Sequence, residues 1–274
     1  MRDRFGLTLT TAAPAAELYN SALDRLLSLQ GGAETLLQQA LDLDPGFALA
    51  HAAMAVLGAE FGLAVDVNAR LTAAVTAAPK ATDRERSFVA AVAFRTHGSA
   101  RVAARHLLTH IDRFPQDALA VTLAVPTIAF ASALELPEQT WDLVESLRPV
   151  YGTDWWFSGL LAFIRQEQGR YVEAHDLAMA ALGVRPNSGH AAHAMAHVSY
   201  ETGDHRAGLD WIDGWIGESA RSAVNALVYA LIGAGRFAAA EQILLVRLGR
   251  RSSGRDRAQL RGLRGSVEHA VCVD

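Results

Sequence analysis

A polar stripe is predicted along one helix, residues 188–203. At about 100° per residue around an α-helix, its side chains fall within roughly 80° of one another. They are His190, His193, His197 and Glu201, flanked by Tyr200. A neutral imidazole beside a carboxylate in an apolar setting can transfer protons near pH 7. The histidine stripe, as we call these five residues, therefore predicts acid–base chemistry or ligand binding.

Two kinds of chemistry fit the stripe. In an acid–base mechanism, His197 is the base, Glu201 or Glu167 orients it, and His193 is the acid. His193 and His197 are also one helical turn apart and could share a metal ion, with Glu201 or Glu167 as third ligand. His190 lies roughly 10 Å along the axis from His197, too far to join the same ion.

Motifs for resident metals and cofactors are absent from the sequence. It contains no HExxH element, nucleophile elbow, glycine-rich phosphate loop or dinucleotide fingerprint. We therefore predict no resident metal and no cofactor. His106 and His110 are one turn apart as well, but we expect both on a solvated helix face.

Composition and charge limit the possible partners. The net charge is −4, and the basic residues concentrate at 247–264, where seven arginines face one aspartate without interleaved aromatics. We therefore expect no nucleic-acid partner. The uncharged run 118–134 is interrupted by Pro126, so we expect no membrane span. Cys272 is the only cysteine, so an internal disulfide is excluded and a cytoplasmic location is favoured. The chain has 24 arginines but a single lysine, Lys80, and this composition indicates a bacterial source.

Regularly spaced prolines and glycines predict the scaffold that positions the stripe. The prolines fall 34–37 residues apart, with glycine-marked turns between them. They are Pro45, Pro79, Pro115, Pro149 and Pro186. Each interval holds two apolar-periodic helical stretches, and two helices per 34 residues is typical of an α-solenoid.

Three segments resemble tetratricopeptide repeats (TPRs). They are ETLLQQALDLDP (34–45), GRYVEAHDLAMAALGVRP (169–186) and GRFAAAEQILL (235–245). The resemblance implies an all-α, TPR-like α-solenoid of about seven helical hairpins over 1–251. An Arg-rich cap or tail would occupy 252–274. The helices are expected at 15–30, 33–43, 47–61, 66–77, 83–96, 99–113, 117–133, 138–147, 153–167, 170–183, 188–202, 205–217, 221–233 and 236–248.

A narrower resemblance is to the tetratricopeptide repeat protein 38 family. It rests on TDRERSFVAAV (82–92), RFPQD (113–117) and HAMAHVSYETGDHRAGLDWI (193–212), taken with the repeat at 169–186. The family's second histidine-rich helix would fall at 221–231, where this chain has no histidine.

The TPR resemblance also implies which side chains face the concave groove. The first helix of each hairpin lines that groove, at fixed offsets before the turn glycines Gly169, Gly203 and Gly235. Counted back from Gly169, the offsets give Trp156, Phe163 and Glu167. Counted from Gly203 they give the five stripe residues, and counted from Gly235 they give Asn225 and Tyr229. Aromatic side chains with a few convergent polar groups are what a ligand pocket needs. The corresponding residues of an early repeat, Leu49 to Ala59, are small and apolar, which leaves a homodimer open.

Two functions remain open at this point. One is a helical-repeat binding protein that holds a peptide, a partner segment or a small organic ligand in the groove. The other is a small cofactor-independent enzyme, such as a hydrolase, cyclase or isomerase. It would use His193, His197 and Glu201 for catalysis, with or without metal assistance. The residues leave undecided whether the protein is an enzyme.

Overall fold

A computed structural model describes residues 1–61, 63–129 and 136–218. Over these ranges the chain is all-helical, apart from turns and one isolated antiparallel bridge between Arg2 and Thr8. No helix within them is both long and apolar enough to cross a membrane. The chain divides into two compact units, which we describe in turn.

The first unit consists of Met1–Leu27 and Gly32–Gly152. Its helices are α1 (Ala13–Leu27), α2 (Ala33–Leu43), α3 (Ala48–Phe61), α4 (Val67–Ala77), α5 (Asp83–His97), α6 (Ala100–Arg113), α7 (Ala118–Ala129), α8 (Leu136–Ser146) and the short α9 (Arg148–Tyr151). A 3₁₀ turn at Ala78–Lys80 follows α4. Consecutive helices pack in pairs, α1 on α2, α3 on α4, α5 on α6 and α7 on α8.

The second unit consists of Ser28–Gly31 and the chain from Thr153 onward. Its described helices are α10 (Trp155–Glu167), α11 (Tyr171–Val184), α12 (Gly189–Glu201) and α13 (His205–Glu218). α10 packs on α11, α12 packs on both of them, and α13 packs on α12. Helix α12 carries the histidine stripe.

The helix boundaries follow from local sequence. Polar N-caps begin α4, α5, α6, α10 and α12: Asp66, Thr82, Ser99, Asp154 and Ser188. Each accepts a hydrogen bond from an early backbone N–H, which would otherwise lack a partner. Gly169 and Gly203, expected to mark turns, follow α10 and α12 with φ of 72° and 79°. Only glycine adopts this left-handed conformation without steric cost.

The helices expected between 15 and 217 are confirmed. Wherever both ends are described, they begin and end within three residues of the expected positions. The helices expected at 221–233 and 236–248, the boundary at 251/252 and the tail at 252–274 lie outside the described residues.

The core of the first unit contains a charge cluster. The guanidinium of Arg84 on α5 is 2.6 Å from the carboxylate of Asp117 and 2.9 Å from that of Asp3. Their side chains are at most 6% exposed. Asp117 also contacts Nε2 of His110 at 3.1 Å, and Nδ1 of that ring lies 2.9 Å from the Ser87 hydroxyl.

This cluster corrects one prediction. His110, expected on a solvated face, is 0% exposed, while His106 one turn earlier is exposed as expected. The difference arises because the buried carboxylate of Asp117 accepts a hydrogen bond from the His110 ring, and a buried polar ring needs such a partner. The i, i+4 spacing alone does not distinguish the two rings.

Two glycines on α13 offer a test of the helix packing in the second unit. A Cβ at Gly208 would overlap the Cβ of Ser199 on α12, whereas a Cβ at Gly214 meets nothing within 4 Å. Gly208→Ala should therefore lower the free energy of unfolding by about 1–3 kcal/mol. Gly214→Ala should raise it by up to about 1 kcal/mol, because alanine favours the helix. Chemical denaturation of both variants checks this, and a stabilising Gly208→Ala would contradict the α12–α13 packing.

Candidate functional site

Helix α12 begins with support from two parts of the chain. The Ser188 hydroxyl accepts a hydrogen bond from the Ala191 amide, and the Gly189 amide donates to the Ser28 carbonyl at 2.8 Å. The Gln30 side chain donates to the Asn187 carbonyl at 2.8 Å. These bonds satisfy backbone groups that the first turn of a helix leaves unpaired.

Small residues bring α12 close to α10. A Cβ added at Gly159 would lie 3.1 Å from the Ala191 amide nitrogen, so the two backbones nearly touch there. Alanines form the core of the contact among α10, α11 and α12: Ala162, Ala178, Ala181, Ala191 and Ala194. The close approach lets side chains one turn further along the two helices meet at their edge.

Those side chains form a cluster of three rings. Nε2 of His193 and Nε2 of His197 lie 2.9 Å apart, a hydrogen-bonding distance. Phe163 of α10 stacks on His193, with ring centres 5.1 Å apart and planes 27° apart. Phe163 also makes an edge-to-face contact with His197, with ring centres 5.7 Å apart. All three rings are partly exposed, so a ligand can reach them. We call Phe163, His193 and His197 the ring cluster.

The histidines of the stripe are neutral at pH 7. Burial and, to a lesser extent, the neighbouring His197 and His190 together lower the pKa of His193 to about 3. Burial also lowers the pKa of His190 to about 4. The pKa of His197 is lowered by burial as well, although the carboxylates of Glu167 and Glu201 oppose that shift. One imidazole of the His193–His197 pair therefore donates a hydrogen and the other accepts it.

These protonation states bear on the proposed acid–base roles. An acid at pH 7 must hold a proton, and a pKa near 3 leaves His193 almost entirely unprotonated. His197 is better suited to accept a proton, because two carboxylates stabilise its charged form. The pKa shifts therefore favour His197 as a base and disfavour His193 as an acid.

The remaining stripe residues lie around the ring cluster. Tyr200 is 41% exposed and Glu201 is exposed, so both side chains are available to a ligand. Glu167 is also exposed and accepts a hydrogen bond from the Gln166 amide. His190 is not part of the ring cluster. Its Nε2 is buried and has no hydrogen-bond partner among the described residues.

One expected groove residue is buried, and two others fall outside the described residues. Trp156 is 0% exposed, which corrects the expectation that it lines a groove. Its offset from Gly169 matches, but it lies only two residues after the N-cap Asp154, where the indole packs into the core beside Phe157. Asn225 and Tyr229 lie outside the described residues.

The first unit has a separate open groove that the sequence did not indicate. It measures about 660 Å³ and lies between α2, α3 and α4. Its lining includes Glu34, Asp42, Asp66 and Arg70. Its carboxylates come from α2 and from the N-cap of α4, and those of Asp42 and Asp66 accept local hydrogen bonds.

Metal ligation by a full set of protein ligands is not apparent. In the part of the chain that the structure describes, no three or more histidine, cysteine, aspartate or glutamate side chains are grouped to hold an ion. Comparison with known proteins adds no identification. No protein-family model matches the chain, and no curated protein matches it either.

Proposed function

We propose that the protein is a TPR-like α-solenoid that binds a peptide, a partner segment or a small organic molecule through the ring cluster and its exposed neighbours. The observation that carries the proposal is a set of partly exposed rings on two neighbouring helices, α10 and α12. Paired helices joined at glycine turns support the repeat architecture. In such architectures, the stacked helices present an extended surface for ligands.

The chemistry of the surface limits the ligand. Phe163 and Tyr200 offer aromatic faces, and the neutral imidazoles offer one donor and one acceptor at a time. Glu167 and Glu201 add negative charge at the edge. A ligand with an apolar or aromatic group and a nearby hydrogen-bond donor would complement this surface.

The binding proposal can be tested with a displayed library of random dodecamer peptides. Peptides selected on the wild-type protein are measured against Phe163→Ala, His197→Ala and a control, Phe94→Ala, which removes an exposed aromatic side chain of α5. Each ring-cluster variant should weaken binding by about 5–30-fold, or about 1–2 kcal/mol, as expected for aromatic contact residues. The control should bind as the wild type does. Equal binding by all four proteins would exclude the ring cluster as the ligand surface.

A second candidate is a small cofactor-independent enzyme in which His197 is the base. One observation favours it, namely the two carboxylates of Glu167 and Glu201 that act on the His197 ring. A base of this kind contributes at least about 100-fold to the rate. A substrate panel of esters, lactones and amides is assayed with the wild type and His197→Ala. Turnover that is unchanged in the variant would exclude this candidate.

A further inference from the structure

The two imidazoles of the ring cluster are held in an unusual mutual geometry. Their Nε2 atoms are 2.9 Å apart, their ring centres are 4.6 Å apart, and their planes differ by 61°. If the two ring centres and the two Nε2 atoms all lay on one straight line, the centres would be roughly 5.2 Å apart at this nitrogen separation. The rings are therefore tilted away from that collinear arrangement. A tilt of both rings to the same side would aim both Nε2 atoms at a common point beside that line.

A metal ion at that point would fit both distances. With each nitrogen about 2.0 Å from the ion and the two bonds at about 90°, the nitrogens would be roughly 2.9 Å apart and the ring centres roughly 4.5 Å apart. Bonds at the tetrahedral angle would instead separate the nitrogens by about 3.3 Å and the ring centres by about 5.2 Å. The observed separations match adjacent positions of a square or octahedral ion.

We propose that His193 and His197 form a two-imidazole binding site for a divalent transition-metal ion of the Cu²⁺ or Ni²⁺ type. These ions prefer nitrogen ligands at about 90°, and Cu²⁺ binds such sites most tightly among the first-row divalent metals. Zn²⁺, which prefers tetrahedral ligands, fits less well. Water or a ligand atom fills the other positions, because the described residues supply no third protein ligand.

The surroundings of the two rings suit a bound cation. The negative charges of Glu167 and Glu201 act on His197 and would offset part of the charge of the ion. Stacking on Phe163 restrains the His193 ring. When the ion binds, the hydrogen shared by the two Nε2 atoms leaves, and the ring that carried it holds its hydrogen on Nδ1 instead.

The metal site shares residues with the proposed ligand surface but does not depend on it. Ion binding is measured with the metal alone, in the absence of any peptide or substrate. Loss of peptide binding with retained ion binding would affect only the proposed function, and the reverse result would affect only the metal site.

The test uses untagged full-length protein with Cys272→Ser throughout, so that Cu²⁺ does not oxidise the thiol. The variants are His193→Asn and His197→Asn, which keep a planar polar side chain, and the control is His175→Gln, which removes an exposed histidine of α11. Cu²⁺ is titrated calorimetrically and followed by electron paramagnetic resonance. We expect a spectrum with two coordinated nitrogens and an affinity at least about tenfold lower in each Asn variant.

The control should keep both the affinity and the spectrum of the parent protein, and Zn²⁺ should bind at least about tenfold more weakly than Cu²⁺. Circular dichroism establishes that the Asn variants are folded at the titration temperature. The inference is overturned if the folded Asn variants bind Cu²⁺ as the parent does, or if the parent spectrum lacks nitrogen coupling. An equal loss of affinity in His175→Gln would overturn it as well.

Discussion

Replacing Arg84 with methionine is expected to lower the free energy of unfolding of the first unit by about 3–5 kcal/mol. The Arg84 side chain is 6% exposed, and its guanidinium neutralises the carboxylates of Asp3 and Asp117, whose side chains are each 1% exposed. Without it, both carboxylates remain buried and lose the guanidinium that neutralises them. Methionine fills a similar volume, so the loss reports charge rather than a cavity.

Arg86→Met is the matched control for this experiment. Arg86 is also on α5 and also paired with an aspartate, Asp83, but the two side chains are 46% and 67% exposed. Exposed pairs contribute about 0–1 kcal/mol, so the control should remain close to the wild type in urea denaturation. The loss of unfolding free energy in Arg84→Met should also become smaller as the pH is lowered from 8 to 5, because protonation removes the charge of an unpaired buried carboxylate. Equal losses in the two variants would contradict the cluster.

Acidification from pH 7.5 to pH 5 is expected to lower the free energy of unfolding of the second unit by about 2–4 kcal/mol through His190 and His193. An unfolded histidine takes up its proton near pH 6.5. In the folded protein, burial lowers the pKa of these two rings to about 4 and about 3. At pH values between the folded and unfolded pKa values, the unfolded state binds more protons than the folded state, so acid favours unfolding. This contribution is complete above pH 6.5 and is lost progressively as the pH falls from 6.5 toward the folded pKa values of about 4 and about 3.

The double variant His190→Asn, His193→Asn should reduce this pH dependence, whatever its stability at pH 7.5, and leave the part contributed by His197, whose pKa is also lowered. His175→Gln, which removes an exposed histidine, should leave the slope unchanged. Asp117 does not interfere. Burial alone would raise its pKa, but the Arg84 charge and the His110 hydrogen bond outweigh burial and lower it to about 2. Its contribution is therefore constant above pH 4. Guanidinium denaturation at a series of pH values measures the slopes, and a slope retained by the double variant would refute the assignment.

Sequence reasoning predicted the helices well because their ends are determined locally. The Thr82–Glu85 capping box and the left-handed glycines Gly169 and Gly203 act within a few residues of the chain. The phase of α12 was also predictable, since its small residues face α10 while its polar stripe remains partly exposed. Local signals of this kind need no knowledge of tertiary contacts.

The parts of the candidate site that sequence reasoning missed depend on distant contacts. Trp156 satisfies the expected groove offset, yet burial of its indole places it in the core. Asp3, Arg84 and Asp117 are separated by more than 30 residues, and no spacing rule joins them. The stripe itself was predicted, but the contact between the Nε2 atoms of His193 and His197 depends on rotamers that spacing does not determine.

The hydrogen bonds from Gly189 and Gln30 have a consequence for dissecting the protein into fragments. Ser28–Gly31 belongs to the same compact unit as α12, although the 121 residues of Gly32–Gly152 lie between that segment and Thr153. A fragment that starts at Thr153 would leave the Gly189 amide and the Asn187 carbonyl without these partners. Amide protection against deuterium exchange at the first turn of α12 should therefore be lower in such a fragment than in the intact chain. Ligand or metal measurements on the stripe consequently require the full-length polypeptide.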